Sequence, residues 1–229
     1  ISENMKAQIR GFRQARRNAD DGISMVQVAE GAIAEISNMV IRLRELAVQA
    51  SSDTVGETER RFTDMEFQGL KNEIDRISQA TEFNGRKLLD GTGGIVEIQV
   101  GVKNNPLTDR IAFDASEANT TLDYLGISNE AVVTKEGAQG SLAALDNALY
   151  KLNGARAKLG AMQNRLVTTS SSLDVADENF SAANSRIRDV DMASETAELA
   201  KNNVLAQSGT SVLSQANQTS AFALKLLNS

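Results

Sequence analysis

The sequence holds 229 residues with a formal net charge of −6, no histidine, no cysteine, no tryptophan and one proline. Without histidine or cysteine it lacks the commonest general base, the thiolate nucleophile, disulfides and the thiolate zinc site. Its negative field repels a phosphate backbone, and no apolar run approaches the ~20 residues a membrane helix needs, which disfavours nucleic-acid binding and membrane insertion.

Aromatic residues make up only 4% of the chain. Small side chains let long helices approach closely along their length, so the composition predicts a mainly α protein. The expected form is an elongated, antiparallel, coiled-coil-like helical bundle with a small β-hairpin region. No basic-then-apolar secretory signal opens the chain. It begins in mid-pattern at Ile1, and residues upstream are expected.

The first predicted element is a long helix over 1–51. One heptad row reads Met5, Phe12, Ala19, Val26, Ile33, Val40 and Ala47, and a second reads Ala15, Gly22, Ala29, Ile36, Leu43 and Ala50. Two adjacent rows at a period of 3.5 form a coiled-coil seam about 70 Å long at 1.5 Å per residue. Ser51, Ser52, Asp53 and Gly56 mark its end. A second helix is predicted over 57–81, with Phe67, Leu70, Ile74 and Ile77 on one face.

Asn84-Gly85 and the run Asp90-Gly91-Thr92-Gly93-Gly94 are turn signals. Val96, Ile98, Val100 and Val102 then alternate with polar residues or glycine, the signature of a half-buried strand. Ile111 to Phe113 is its expected partner, which places a β-hairpin region in 86–135. The stretch 114–140 shows no clear period. A third helix is predicted over 141–184, capped by Ser141. Leu145, Leu152, Leu159, Leu166, Leu173 and Phe180 repeat every seven residues beside Ala148, Ala155, Met162, Thr169, Ala176 and Ala183. This helix should pack along the first.

The last segment differs in character. Its face carries Ala193, Ala197, Ala200, Val204, Leu213, Ala216, Ala223 and Leu227 among Ser, Thr, Asn and Gln. So few bulky residues bury little area, and isolated helices are marginal in water. The segment is expected to order only against a partner.

Several motifs, in order, carry a resemblance to a known family. They are Gln8-Ile9-Arg10-Gly11, Asn18-Ala19-Asp20-Asp21-Gly22-Ile23-Ser24, Arg44-Glu45-Leu46-Ala47-Val48-Gln49 and Glu82-Phe83-Asn84-Gly85-Arg86-Lys87-Leu88-Leu89. Near the C-terminus come Ser185-Arg186-Ile187-Arg188-Asp189, Asp191-Met192-Ala193, Gly209-Thr210-Ser211-Val212-Leu213 and Gln215-Ala216-Asn217-Gln218. The chain resembles bacterial flagellin, the subunit of the flagellar filament, over essentially its whole length.

That resemblance implies an inner-shell domain over 1–184 and the C-terminal half of a channel-lining terminal coiled coil over 185–229, with no large outer domain. It implies self-assembly into an extracellular filament for motility, export by the flagellar type III system, and contact with a secretion chaperone and with hook-associated and cap proteins. Ala193, Ala197, Ala200, Val204, Leu213, Ala216 and Leu227 would serve chaperone binding and self-assembly. The resemblance also implies recognition by Toll-like receptor 5 through Arg42, Leu46 and Glu66, on a patch that packs between subunits in the filament. Arg42 and Leu46 are an i,i+4 pair expected on one face. Where the family has glutamine before the first arginine, this chain has Ile41. The alternatives are a hook–filament junction protein, built on a similar helical plan, and a secreted coiled-coil adaptor.

Other features carry less. Lys6, Arg10, Arg13 and Arg17 share a helix face that is either solvated or set against an acidic patch of a neighbouring copy. The pairs Asp20/Asp21 and Asp189/Asp191 read as solvated or capping carboxylates. Gly91 to Gly94 lacks the Lys-Ser/Thr of a phosphate-binding loop. No pattern calls for a cofactor or metal, and an enzyme would need a site built without His or Cys.

Overall fold

The computed structural model describes residues 1–189 and 192–227, with side chains as far as Asn217. Helix α1 (Ser2–Ala50) is 49 residues long. From Ala15 to Ala50 both heptad rows are buried, while Met5 and Phe12 near the start are half-buried. The helix end is closed from outside: Arg60 donates to the carbonyls of Ala50 and Ser52, at 2.8 Å each. The Ala50 carbonyl, one of the last of the helix, would otherwise lack a partner, while Ser52 also accepts from the Val55 amide at 3.3 Å.

Arg60 belongs to α2 (Glu57–Ala80). Glu59 in its first turn accepts from the Gly56 amide at 2.8 Å, the returning half of a capping box. Phe67 and Ile74 are fully buried, and Leu70 and Ile77 are half-buried beside them. A second row of α2 holds the irregular segment that precedes the last long helix of this unit. Asp64 accepts from the Val132 amide at 2.9 Å, and Lys71, only 5% exposed, donates to the carbonyls of Ser128 and Glu130 at 2.8 Å each.

Strands β1 (Glu82–Phe83) and β2 (Arg86–Lys87) form a tight hairpin. Asn84 and Gly85 make its turn with φ of 50° and 76°. A two-residue turn needs positive φ at both places, which Asn-Gly tolerates best. Strands β3 (Ile95–Gln99) and β4 (Arg110–Asp114) pair antiparallel, with Val96 opposite Phe113 and Ile98 opposite Ile111. Ile98, Ile111 and Phe113 turn one face of this hairpin into the core. Both glycines of α1 in this region lie under it. A Cβ on Gly22 would meet Ile98 Cδ1 at 2.6 Å, and one on Gly11 would meet Val102 Cγ1 at 2.7 Å. A 3-10 turn (Ala115–Ala118), capped by Asp114, and the short α3 (Leu122–Leu125), capped by Thr121, follow.

Helix α4 spans Lys135–Arg188. It starts six residues before the expected 141 and runs past the expected 184. The cap is Thr134, whose Oγ1 accepts from the Gly137 amide at 3.1 Å. Ser141 is therefore inside the helix and fully buried, its hydroxyl bonding to Glu130 Oε2 at 2.6 Å. The sequence shows no clear period over 114–140, yet the Thr134 cap carries the helix through both Gly137 and Gly140.

Leu145, Leu152, Leu159, Leu166 and Leu173 of α4 are buried. Phe180 meets Phe12 edge-to-face, with ring centroids 5.2 Å apart. Ion pairs fix the direction of α4 against α1: Arg13–Asp177 at 2.8 Å, Arg16–Asp174 at 2.5 Å and Arg44–Asp146 at 2.7 Å. From Arg13 to Arg44 is 31 residues forward, and from Asp177 to Asp146 is 31 residues back, so the two helices run antiparallel without slippage.

Apart from the end of α4 beyond residue 181, these elements lie in one compact unit, essentially residues 3–181. A second unit, beginning at residue 182, holds α5 (Met192–Leu227).

Candidate functional site

The Arg42 site is assembled across two helices. Arg42 Nε donates to Glu66 Oε1 at 2.9 Å, and its Nη1 donates to Glu45 Oε2 at 2.9 Å. Arg42 and Glu66 are 24 residues apart in sequence, and the α1–α2 turn brings them together. Its hydrogen bonds to Glu45 and then to Glu66 hold the guanidinium above its usual pKa, so it stays charged.

Leu46 does not join that surface. It is 2% exposed and belongs to the core, which corrects the expectation that it shares an accessible face with Arg42. The reason is angular. Four residues advance an α-helix by about 40° beyond one full turn. Because α1 is flanked by both α2 and α4, it buries a wider arc than its two heptad rows, and that rotation carries Leu46 inside. The same two helices also expose large apolar side chains, Ile41 and Val48 on α1 and Phe62 and Met65 on α2. Phe62 and Met65 went unremarked in the sequence, although both fall off the Phe67–Ile74 face by helical spacing, which was the available signal.

On α5, Ala193, Ala197, Ala200, Val204, Leu213 and Ala216 are all exposed, and so are Leu199, Leu205 and Val212. Leu227 lies outside the described side chains. The basic row of α1 is partly consumed within the chain, since Arg13 pairs with Asp177. Asp20 accepts from Ser170 at 3.1 Å, and Asp191 lies outside the described residues. The indentation between β4 and α4 is lined by Asp114, Glu117, Lys158 and Arg165, with Lys158 and Glu117 paired at 3.1 Å. Among the described residues no group of three His, Cys, Asp or Glu side chains could hold a metal ion, and no helix is long and apolar enough to cross a membrane.

Comparison with known proteins gives these surfaces a context. Residues 1–93 match the family model of the bacterial flagellin N-terminal helical region, and residues 142–227 match that of the C-terminal helical region. The chain belongs to the bacterial flagellin family. A flagellin of Halalkalibacterium halodurans is 44% identical over 227 residues, covering 99% of this chain and 82% of its own. The crystal structure of Bacillus cereus flagellin aligns with a TM-score of 0.62 at 31% identity, covering 69% of this flagellin and 88% of that chain. A flagellar hook-associated protein of Vibrio parahaemolyticus aligns with a TM-score of 0.66 at 14% identity, covering 81% and 95%. That likeness is one of fold alone. This flagellin is a structural subunit of the flagellar filament, in a family whose members build rather than catalyse.

Proposed function

We propose that this chain is exported by the flagellar type III system and polymerises outside the cell for motility. Residues 1–184 would form the inner shell, and 185–229 one half of a terminal coiled coil. The exposed apolar side chains of α5 carry this reading: Val204, Leu205, Val212 and Leu213 are each 58–68% exposed on a helix otherwise rich in Ser, Asn and Gln. A face of that kind buries little against its own chain and gains its order from an assembled partner. Before export the same face would occupy a secretion chaperone, and at the filament ends it would meet hook-associated and cap proteins. Arg42 and Glu66 would form a subunit contact in the filament and, on free subunits, part of the surface met by Toll-like receptor 5.

Hydrogen exchange tests this directly. Amides of α5 should exchange quickly in the unassembled subunit and become strongly protected in filaments. Fast exchange of α5 in both states would show that the face takes no part in assembly.

A further inference from the structure

We propose that the turn Asn84–Gly85 is a site of spontaneous covalent modification, where the Asn84 carboxamide is lost as ammonia to leave aspartate and isoaspartate. The reaction needs neither an enzyme nor a partner. The chain holds two Asn-Gly pairs, Asn84–Gly85 and Asn153–Gly154. Glycine makes such pairs reactive, because it has no Cβ to hinder attack by its own backbone nitrogen on the preceding side chain. That nitrogen, having lost its proton to hydroxide, bonds to Asn84 Cγ. The Cγ–Nδ2 bond breaks, and ammonia leaves with a proton from water, which restores the hydroxide. Water then opens the five-membered succinimide. Cleavage on the side-chain side gives aspartate; cleavage on the main-chain side gives isoaspartate, whose backbone runs through the former side chain.

The dipeptide is the same at both pairs, and the fold separates them. Asn153 and Gly154 lie well inside α4, where the helical pattern commits the Gly154 amide to the Tyr150 carbonyl. Attack there requires the helix to break in its interior, between Leu152 and Ala155, which are buried in the core. At Asn84–Gly85 both residues are exposed. Among the described residues no hydrogen bond holds the Gly85 amide or the Asn84 carboxamide, and nothing lies within 4 Å of where a Gly85 side chain would begin. Ring closure takes Asn84 out of its turn conformation, with φ of 50°, so the hairpin has to open first. It is held by two residue pairs, Glu82 with Lys87 and Phe83 with Arg86, too few for independent stability. Segments this short and exposed open at the low end of local unfolding free energies. Either product places a carboxylate beside Arg86 where a neutral amide stood. Isoaspartate also adds a carbon to the backbone, so the two-residue turn no longer closes and the Phe83–Arg86 pairing is lost. Leu88 and Leu89 are fully buried, and the Leu88 amide donates to the Thr81 carbonyl at 3.1 Å, which anchors the base and confines the change to the tip.

The test follows both pairs in one sample. Native protein and protein unfolded in urea are incubated side by side at mildly alkaline pH. Peptides spanning each pair are followed by mass spectrometry, and isoaspartate is scored by enzymatic methylation. In the native protein Asn84 should lose its amide at least about tenfold faster than Asn153, because the hairpin tip opens more readily than the interior of α4. In urea the two rates should converge. A ratio that is the same in urea as in the native protein would mean that the flanking residues, not the fold, choose the site, and would overturn the proposal. So would loss at Asn84 no faster than at Asn153 in the native protein, since the turn would then protect its amide as well as the helix does.

Discussion

Gly22 of α1 and Ile98 of β3 approach so closely that a Cβ on Gly22 would stand 2.6 Å from Ile98 Cδ1 and 3.4 Å from Leu166 Cδ1 of α4. One missing side chain therefore lets helix, hairpin and helix meet at a single point. Gly31, nine residues further along α1, faces open space.

The two glycines should respond oppositely to alanine. Gly22→Ala crowds Ile98 and should cost about 1–2 kcal/mol, since overpacking outweighs the gain in helix propensity. Gly31→Ala should instead stabilise the subunit by about 0.5–1 kcal/mol. Thermal unfolding of the two variants decides it. A stabilised Gly22→Ala would mean that Ile98 swings aside and the close approach does not seat the hairpin.

Thr134 governs where α4 begins. Thr134→Ala should cost about 1 kcal/mol and fray the first turn of α4, visible as faster amide exchange over 135–140. Ser141→Ala should leave that turn protected while still destabilising, because it strands Glu130. Fraying in Ser141→Ala alone would return the cap to Ser141.

Burial holds the Lys71 ammonium below its ordinary pKa, because desolvation outweighs the pull of Asp64 and Glu130. The charged form is thus penalised in the folded state relative to the unfolded chain. The sign follows: the penalty is complete below the folded pKa and fades as pH rises toward the ordinary lysine value of about 10.4. Stability of the wild type relative to Lys71→Met should therefore rise over the alkaline range just below that value. A difference that stays flat or falls there would show that the ammonium is not desolvated.

Leu46 and Arg42 should separate packing from recognition. Leu46→Ala opens a cavity in the core and should cost about 2–5 kcal/mol. Arg42→Ala should barely move the melting temperature but weaken activation of a Toll-like receptor 5 reporter by free subunits, as should Glu66→Ala. Loss of receptor response in Leu46→Ala, with stability unchanged, would contradict the placement of Leu46 in the core.

Much of the fold was legible because its signals are periodic. The seven-residue rows from Ala15 to Ala50 and from Leu145 to Leu173 are buried as their spacing requires, and Val96 to Ile98 pairs with Ile111 to Phe113 as its alternation requires. What stayed hidden depends on tertiary contacts. The segment 126–134 has no period because its backbone is held by side chains from α2, among them Lys71, which no spacing rule singles out. The start of α4 was obscured by Gly137 and Gly140, which weaken a helix without ending it when Thr134 caps it. At the candidate site, only the family resemblance grouped Arg42 with Glu66, and the α1–α2 turn brings the two side chains within 2.9 Å. Leu46 was misplaced because an i,i+4 relation says two residues are neighbours on a helix, not that both are on its exposed side.

The most direct measurement is electron microscopy of the natural form of the protein after seeding with flagellar fragments. The account predicts long filaments growing from the seeds. A wild-type protein that remains a small closed oligomer beside intact seeds would contradict it.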